Sequence, residues 1–413
     1  MMLEHGAVDW GIVAIFVTVY IGMFLGGLPQ LKLDRSGVAL LGAIGVIGLG
    51  VMTTGQAAQS VDLPTILLLF SFMVVSAQMR LGGFYTAVTR QIVALSLGRN
   101  ALLAALIAVA GTLSAIFSND IICLAMTPVV VRLCLQRQLN PVPFLVGLAC
   151  AANIGSAATL IGNPQNMLIG SVLQLHFLTY LLHALPPVIV CLGLLWAWLV
   201  WGPQAPEAIL LPVAASDPDD TQPFDTWQTV KGLTVATALL LVFLFTDWPR
   251  EVAALVGAGV LLLSRRFHSS HVLGFVDWEL LVLFMGLFVV NHAFESTGLA
   301  AQAVLWLGGQ GVHLGDPGPL FVAGVGLSNL VSNVPAVMLL LPHLKTPEAG
   351  VALALVSTLA GNLLLVGSIA NLIVVDLARR NGVTIDAWTH ARIGMPVTLA
   401  TLAVVWGWLR WDF

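Results

Sequence analysis

The stretch SNDIICLAMTP at residues 118–128 puts three polar residues inside an apolar segment that runs from residue 101 to residue 135. A carboxylate at membrane depth costs about 2.5 kcal/mol or more, and membrane proteins that keep one there generally use it. After an offset of 214 residues the pattern returns as SNVPAVMLLLP at 332–342, with Val334 in the place of Asp120. The two stretches predict two related halves that each bring a polar break to the middle of the membrane.

The composition indicates that most of the chain lies in lipid. Of the 413 residues, 58% are hydrophobic and only 9% are charged, whereas an average soluble domain has about 25% charged residues. We therefore expect an all-α polytopic membrane protein of the cell (inner) membrane. No basic tract suggests a nucleic-acid partner, and the four cysteines lack the spacing of metal ligands.

The apolar segments predict about ten spanning helices, because each crossing needs about 20 apolar residues. Residues 80–99 carry three arginines among apolar residues and predict an amphipathic helix at the membrane surface. Arms at 101–117 and 121–135 have basic residues at both outer ends, which predicts a re-entrant hairpin with both ends in the cytoplasm. A second hairpin is expected around a tip at 332–334.

Two broken helices are also expected. The segment from 141 to 175 is too long for one straight helix and contains NIGSAATLIGNPQN at 153–166, where glycine, asparagine and proline disfavour a continuous helix. The second half repeats Gly162 and Asn166 as Gly367 and Asn371, so a second break is expected at 362–371. Non-helical backbone at membrane depth needs a protein-lined or wet cavity.

An internal repeat divides the chain. VDLPTILLLFSFMVV at 61–75 matches VDWELLVLFMGLFVV at 276–290 with an offset of 215 residues. The repeat predicts a first half at 1–201 and a second half at 229–413, joined by a polar linker at 202–228.

Charge counting predicts how the halves cross the membrane. With the N-terminus outside, only Arg250, Lys345 and Arg410 of the 16 lysines and arginines fall on the outer side, in agreement with the positive-inside rule. Ten crossings then put both termini outside, the linker in the cytoplasm and the halves in opposite orientations. Inverted-topology repeats are typical of secondary transporters, which build their site from discontinuous helices at the repeat interface.

The two tip sequences and the GSAATLIGNPQN break resemble the ion transporter superfamily. Within it, they resemble the ArsB/NhaD-type anion permeases, which include arsenite efflux permeases and silicic-acid efflux transporters. The resemblance covers nearly the whole chain and implies a homodimer in which a hairpin-containing transport domain moves like an elevator against a scaffold. Sodium-coupled dicarboxylate carriers of the superfamily end the tip triplet in threonine, whereas this chain has Asp120 and Val334 there.

The candidate site residues come from the tips and the breaks. Asp120 is the expected carrier of a coupling proton, or else an N-cap for a helix that begins at residue 121. Asn153, Ser156 and Thr159 either line the site or cap the broken helix. A sodium site is possible at Ser118, Asn119, Asp120 and Gly162. The predicted substrate- or ion-binding residues are Ser118, Asn119, Asp120, Thr159, Gly162, Asn163, Asn166, Ser332, Asn333, Gly367, Ser368 and Asn371.

The substrate is predicted from charge. No arginine or lysine is expected at the depth of Asp120, because Arg132 lies about 18 Å further along its helix at 1.5 Å per residue. Such a site suits a small weak acid that is neutral at physiological pH, such as silicic or arsenious acid, exported against entering protons. The alternatives are a sodium/proton antiporter, a sodium-coupled symporter of citrate or a dicarboxylate, and an ion channel. An enzyme is not expected, since HExxH and GxSxG are absent, and no cofactor is implied beyond H⁺ or Na⁺ as coupling ion.

Overall fold

The computed structural model describes residues 2–28, 31–95, 97–202, 209–210 and 224–412. Within these residues the two halves have helices in the same order. The helices of the first half are α1 (Met2–Leu25), α2 (Arg35–Gly48), α3 (Thr54–Ser60), α4 (Leu63–Leu81), α5 (Phe84–Ala94), α6 (Arg99–Ile116), α7 (Asn119–Gln136), α8 (Pro141–Ser156), α9 (Pro164–Val172) and α10 (Phe177–Trp201).

The second half repeats this order from residue 226. Its helices are α11 (Thr226–Phe245), α12 (Arg250–Leu262), α13 (Ser269–Leu273), α14 (Trp278–Ser296), α15 (Leu299–Gly309), α16 (Pro317–Val331), α17 (Asn333–Leu340), α18 (Pro347–Ala360), α19 (Ile369–Arg380) and α20 (Ala387–Asp412). Two single 3₁₀ turns, Leu341–His343 and Leu365–Gly367, follow α17 and precede α19. The short helices α3 and α13 were not predicted.

Equivalent residues begin equivalent helices in the two halves. Asp62 accepts a hydrogen bond from the backbone N–H of Thr65 at the start of α4 (2.8 Å), and Asp277 accepts one from Leu280 at the start of α14 (2.9 Å). Carboxylates are effective helix caps because they bind N–H groups that have no partner within the helix. The aspartates of the two matching VD sequences therefore fix where the central helix of each half begins.

The halves are interlocked. Helix α2 of the first half packs along α14 of the second, and α12 of the second half packs along α4 of the first. The hairpin of α6 and α7 packs on α8, and α16 packs on α18 in the same way. Helices α6 and α8 approach closely because Gly155 of α8 lies directly against the backbone of Gly111 of α6, which leaves no room for a β-carbon.

The helix content and hydropathy confirm an all-α polytopic membrane protein. Among the described residues, seven helices are long and apolar enough to cross a membrane: α4, α6, α7, α10, α11, α14 and α20. Other predicted spans are shorter. Helix α2, for example, has 14 residues and is about 21 Å long at 1.5 Å per residue.

The predicted linker at 202–228 differs from the structure at its C-terminal end. Residues 203–208 and 211–223 lie outside the described residues, but residues 226–228 are wrongly assigned to the linker because they form the first turn of α11. Asp225 begins this helix by accepting a hydrogen bond from the backbone N–H of Gln228, whose side chain is buried against Gln78. Residues 209–210 (β3) pair with 383–384 (β4), and 27–28 (β1) pair with 33–34 (β2).

Candidate functional site

Asn153 connects the two broken helices and the first hairpin. Its amide nitrogen donates to the side-chain oxygens of Asn362 (2.8 Å) and Asn371 (3.2 Å). Its oxygen accepts from the amide nitrogen of Asn119 (3.0 Å) and the hydroxyl of Ser368 (3.0 Å). Four hydrogen bonds from one side chain, which is 1% exposed, therefore join α7, α8 and the break between α18 and α19.

The first break is closed by its own asparagines. The side chain of Asn163 caps α9 by accepting from the backbone N–H of Asn166 (2.9 Å) and donates to Ser156 (2.9 Å). Asn166 donates to the carbonyl oxygen of Thr159 (3.0 Å) and to the hydroxyl of Tyr180 (3.0 Å). Helix α8 ends at Ser156 and α9 begins at Pro164, so these side chains satisfy the backbone groups that the break exposes.

The second break uses equivalent groups. Asn371 donates to the carbonyl oxygens of Gly361 (2.8 Å) and Leu364 (3.3 Å). The amide nitrogen of Asn333, in the orientation that satisfies its hydrogen bonds, donates to the backbone carbonyl oxygens of Gly367 (3.2 Å) and Ser357 (3.0 Å). Gly162 is the equivalent of Gly367 in the first half. Its carbonyl oxygen accepts from the backbone N–H of Asn119 (3.2 Å). Each hairpin tip is therefore attached to the broken helix of its own half.

The two tips differ in backbone conformation. Ser118 has an extended backbone with φ −64°, whereas Ser332 has φ 78° and ψ 161°. That second conformation is nearly restricted to glycine and costs a serine roughly 1–3 kcal/mol. Ser332 therefore marks a strained turn between α16 and α17.

Asp120 lies in the first turn of α7 and not at its N-cap. The helix begins at Asn119, with Ser118 as the cap residue, so the prediction that Asp120 caps a helix starting at residue 121 is wrong. A carboxylate in the first turn still benefits from the helix dipole. Its half-buried side chain lines a cavity of about 160 Å³.

This cavity, which we call the tip cavity, contains charges that the sequence analysis did not place there. Its walls include Asp120 and Ser118 from the first hairpin, Arg80 from the last turn of α4, and Asp277 from the start of α14. The expectation that no arginine or lysine lies near Asp120 is therefore wrong. Helix α4 extends to residue 81, so Arg80 is not part of the predicted surface helix, and its guanidinium lies 4.7 Å from the ring centre of Phe275.

The predicted binding residues thus separate into two groups. Ser118 and Asp120 line the tip cavity. The others lie in or beside the hydrogen-bonded breaks, and their role as direct ligands stays a prediction: Asn119, Thr159, Gly162, Asn163, Asn166, Ser332, Asn333, Gly367, Ser368 and Asn371.

Three residues of this region were missed by the sequence analysis. Asp277 was aligned with Asp62 in the repeat but given no role, and Thr358 was not considered although it accepts from Gln165 (3.1 Å). His390, 1% exposed, has a ring nitrogen 3.2 Å from the carbonyl oxygen of Asn362. The repeat itself held a signal for Thr358, which follows Asn153 by the same 205 residues that separate Gly162 from Gly367.

Comparison with known proteins identifies the family. A family model described as citrate transporter, CitMHS, matches residues 17–360. The chain belongs to the CitMHS family. The silicon efflux transporter LSI3 of Oryza sativa subsp. japonica is 30% identical to this permease, over 91% of the chain and 92% of LSI3. The putative transporter arsB of Dictyostelium discoideum is 23% identical, over 91% of the chain and 87% of arsB.

A solved structure has the same fold. The YdaH transporter of Alcanivorax borkumensis superposes with a TM-score of 0.60 at 16% identity, covering 98% of this chain and 97% of its own. The resemblance to the ion transporter superfamily is therefore confirmed. This CitMHS protein is a multi-pass membrane transporter and not an enzyme.

Proposed function

We propose that this permease exports a small weak acid, such as silicic or arsenious acid, in exchange for entering protons. Asp120 carries the coupling proton. The observation that supports this most is the tip cavity, in which Asp120 shares a small space with Asp277 and Arg80. Each charge that moves inward across the membrane gains about 2.3 kcal/mol per 100 mV, so proton entry can drive export.

The charges of the tip cavity favour a neutral substrate. Two carboxylates and one guanidinium give a net charge of −1 when all three are ionised, which repels a polyanion such as citrate. A proton on Asp120 brings the net charge to zero. The volume of about 160 Å³ is below the roughly 300 Å³ at which pockets for larger organic ligands begin. LSI3 is named for silicon and the family for citrate. The charge and volume of the tip cavity favour a substrate such as silicic acid over citrate.

Transport would use the elevator displacement that the resemblance implies. Asn153 joins α7 and α8 to α19 and the second break, so these elements can move as one body. Helices α2, α4, α12 and α14 pack in crossed pairs and supply the static scaffold. Contacts between the two bodies include the hydrogen bond from Arg250 of α12 to the carbonyl oxygen of Gly170 in α9 (2.6 Å). A homodimer in the inner membrane completes the proposal.

Sodium coupling is the second candidate, and Asn119 is the observation that favours it. The side-chain oxygen of Asn119 is buried without a hydrogen-bond partner within the described part of the chain, and the backbone N–H of Asn119 binds the carbonyl oxygen of Gly162. Oxygen atoms of this kind suit a hard cation. The chain would then be a sodium/proton antiporter or a sodium-coupled carboxylate symporter.

Purified protein in liposomes with an enclosed pH dye tests the proposal. Gradients of silicic acid, arsenious acid, citrate and sodium are imposed in turn. We expect silicic or arsenious acid to move protons in the opposite direction without sodium. Proton movement with sodium alone would establish the antiporter instead, and citrate flux that requires sodium would establish the symporter.

A further inference from the structure

A second cavity occupies the place in the second half that the tip cavity occupies in the first. It has a volume of about 220 Å³ and is lined from α14 by Phe288, Asn291 and Glu295. These residues follow Met73, Ser76 and Arg80 of the tip cavity by 215 positions each. We call this space the far cavity. The sequence analysis predicted no site at this end of α14.

The two cavities lie at opposite ends of two antiparallel helices. The tip cavity contains Arg80 from the end of α4 and Asp277 from the start of α14. The far cavity contains Ser60, just before the start of α4, and Glu295 from the end of α14. Since α4 has 19 residues, the cavities are separated by roughly 28 Å at 1.5 Å per residue.

Asn291 is the polar group that points to a ligand in the far cavity. Its side chain is 8% exposed, and its oxygen accepts from the hydroxyl of Tyr20 (2.9 Å). That bond directs the amide nitrogen away from Tyr20, and the nitrogen has no partner among the described residues. A buried donor without an acceptor costs about 1–3 kcal/mol, and a ligand oxygen in the cavity would remove this cost.

The remaining polar groups define which ligand fits. His292 and Glu295 line the far cavity. An adjoining, largely apolar cavity of about 200 Å³ is lined by Asn291 and Glu295 together with His343. Glu295 stands where the repeat places Arg80 in the first half. Within the described part of the chain, no arginine or lysine lines the far cavity. A donor amide beside a carboxylate suits a molecule with both hydroxyl hydrogens and oxygen acceptors, and the carboxylate disfavours an anion.

We infer that the far cavity is a second binding site for the small hydroxylated weak acid that the tip cavity takes up. Asn291 donates to an oxygen of the acid, and Glu295 accepts from its hydroxyl groups. The inference rests on the proposed function and extends it, because it gives the substrate a release site at the opposite end of α4.

A cysteine reporter measures occupancy of this site in the full chain. The four natural cysteines are all buried, so Ser60→Cys supplies a selectively reactive thiol on the cavity wall. The hydroxyl of Ser60 donates to the carbonyl oxygen of Ala57 (2.8 Å), which keeps the reporter outside the proposed ligand set. The probe is orthosilicic acid, added before a cationic methanethiosulfonate reagent, because arsenious acid would itself bind the thiol.

We expect orthosilicic acid to slow modification of Ser60→Cys at least threefold. The protection should persist when Asp120→Asn is added and should disappear with Asn291→Leu or with Glu295→Gln. The Glu295→Gln variant keeps the shape of the side chain, so it remains informative if Asn291→Leu fails to fold. Tyr20→Phe, which releases the amide but keeps the ring, should weaken protection without abolishing it.

Three results would overturn the inference: a reporter that does not react, protection that Asp120→Asn removes, or protection unchanged in both Asn291→Leu and Glu295→Gln. Silicic acid flux is measured on the same preparations to separate the two proposals. Flux without protection would refute the inference of a second site and leave the proposed function standing. Protection without flux would support the far site and reject the proposed exporter.

Discussion

Asn153 and Thr358 occupy equivalent positions of the two repeats, and each binds the broken helix of the opposite half. Asn153 donates to the side chain of Asn371 (3.2 Å). Thr358, 205 positions later, donates to the side chain of Asn166 (3.4 Å), and Asn166 and Asn371 are themselves separated by 205 positions. Neither break is therefore stabilised by its own half alone, because each broken helix is hydrogen-bonded to the other half.

Loss of the Asn153 side chain should destabilise both breaks. We expect Asn153→Leu to lower the free energy of unfolding by at least ~2 kcal/mol, because it leaves buried partners on Asn119, Asn362 and Asn371 unsatisfied. Ser357→Ala is the matched control, since the Ser357 hydroxyl donates only within its own helix, to Ala354. Thermal unfolding of the purified variants measures the difference. Equal melting temperatures for the two would contradict this account of the network.

Gly162 should not tolerate a side chain. A β-carbon there would lie 2.7 Å from the α-carbon of Ser156 and 2.8 Å from the carbonyl oxygen of Ser114, and overpacking of this kind costs about 1–3 kcal/mol. Gly193, in α10, has open space around it and should gain roughly 0.5–1 kcal/mol when changed to alanine. We expect Gly162→Ala to lower the melting temperature and Gly193→Ala to hold or raise it. A Gly162→Ala protein as stable as the wild type would show that the break can relax around the substitution.

Arg80 should be needed only while both carboxylates of the tip cavity are present. Arg80→Gln leaves Asp120 and Asp277 without a compensating charge, and we expect transport to fall at least tenfold. Adding Asp277→Asn should recover much of it, because asparagine still caps α14 and one carboxylate is removed. Initial rates in liposomes are compared for both single variants and the double variant. A double variant no faster than Arg80→Gln would exclude charge balance as the reason.

The predicted orientation can be tested with cysteines on exposed residues. Asp247 precedes α12 and is predicted to lie outside, whereas Ser270 of α13 is predicted to lie in the cytoplasm. Because the natural cysteines are buried, a membrane-impermeant maleimide on intact cells should label Asp247→Cys and leave Ser270→Cys unlabelled until the cells are opened. The reverse pattern would invert the direction of transport inferred for the two cavities.

The sequence predicted the breaks well because their cause is local. Glycine, asparagine and proline together at 162–164 disfavour a helix through local backbone effects, and the structure stops α8 at residue 156 and resumes at 164. The polar triplets at 118 and 332 predicted the turns of both hairpins for the same reason. These features need no knowledge of neighbouring helices.

Contacts between the halves were harder to predict from the sequence. Nothing local shows that Asn153 and Asn163 both bind across the repeat, to Asn371 and Thr358. Arg80 was assigned to a surface helix because its charge suggests water, whereas the fold extends α4 and stacks the guanidinium on Phe275, nearly 200 residues away in the chain. Pairings of this kind depend on how the helices pack.

The central claim is that Asp120 couples protons to substrate, and counterflow with and without a pH gradient tests it most directly. Wild-type and Asp120→Asn proteins are placed in liposomes, and silicic acid exchange is measured first at equal pH and then with an inward proton gradient. We expect both proteins to exchange substrate at equal pH, and only the wild type to expel it from the liposomes against its gradient when protons enter. Proton-driven expulsion by Asp120→Asn at the wild-type rate would contradict the account.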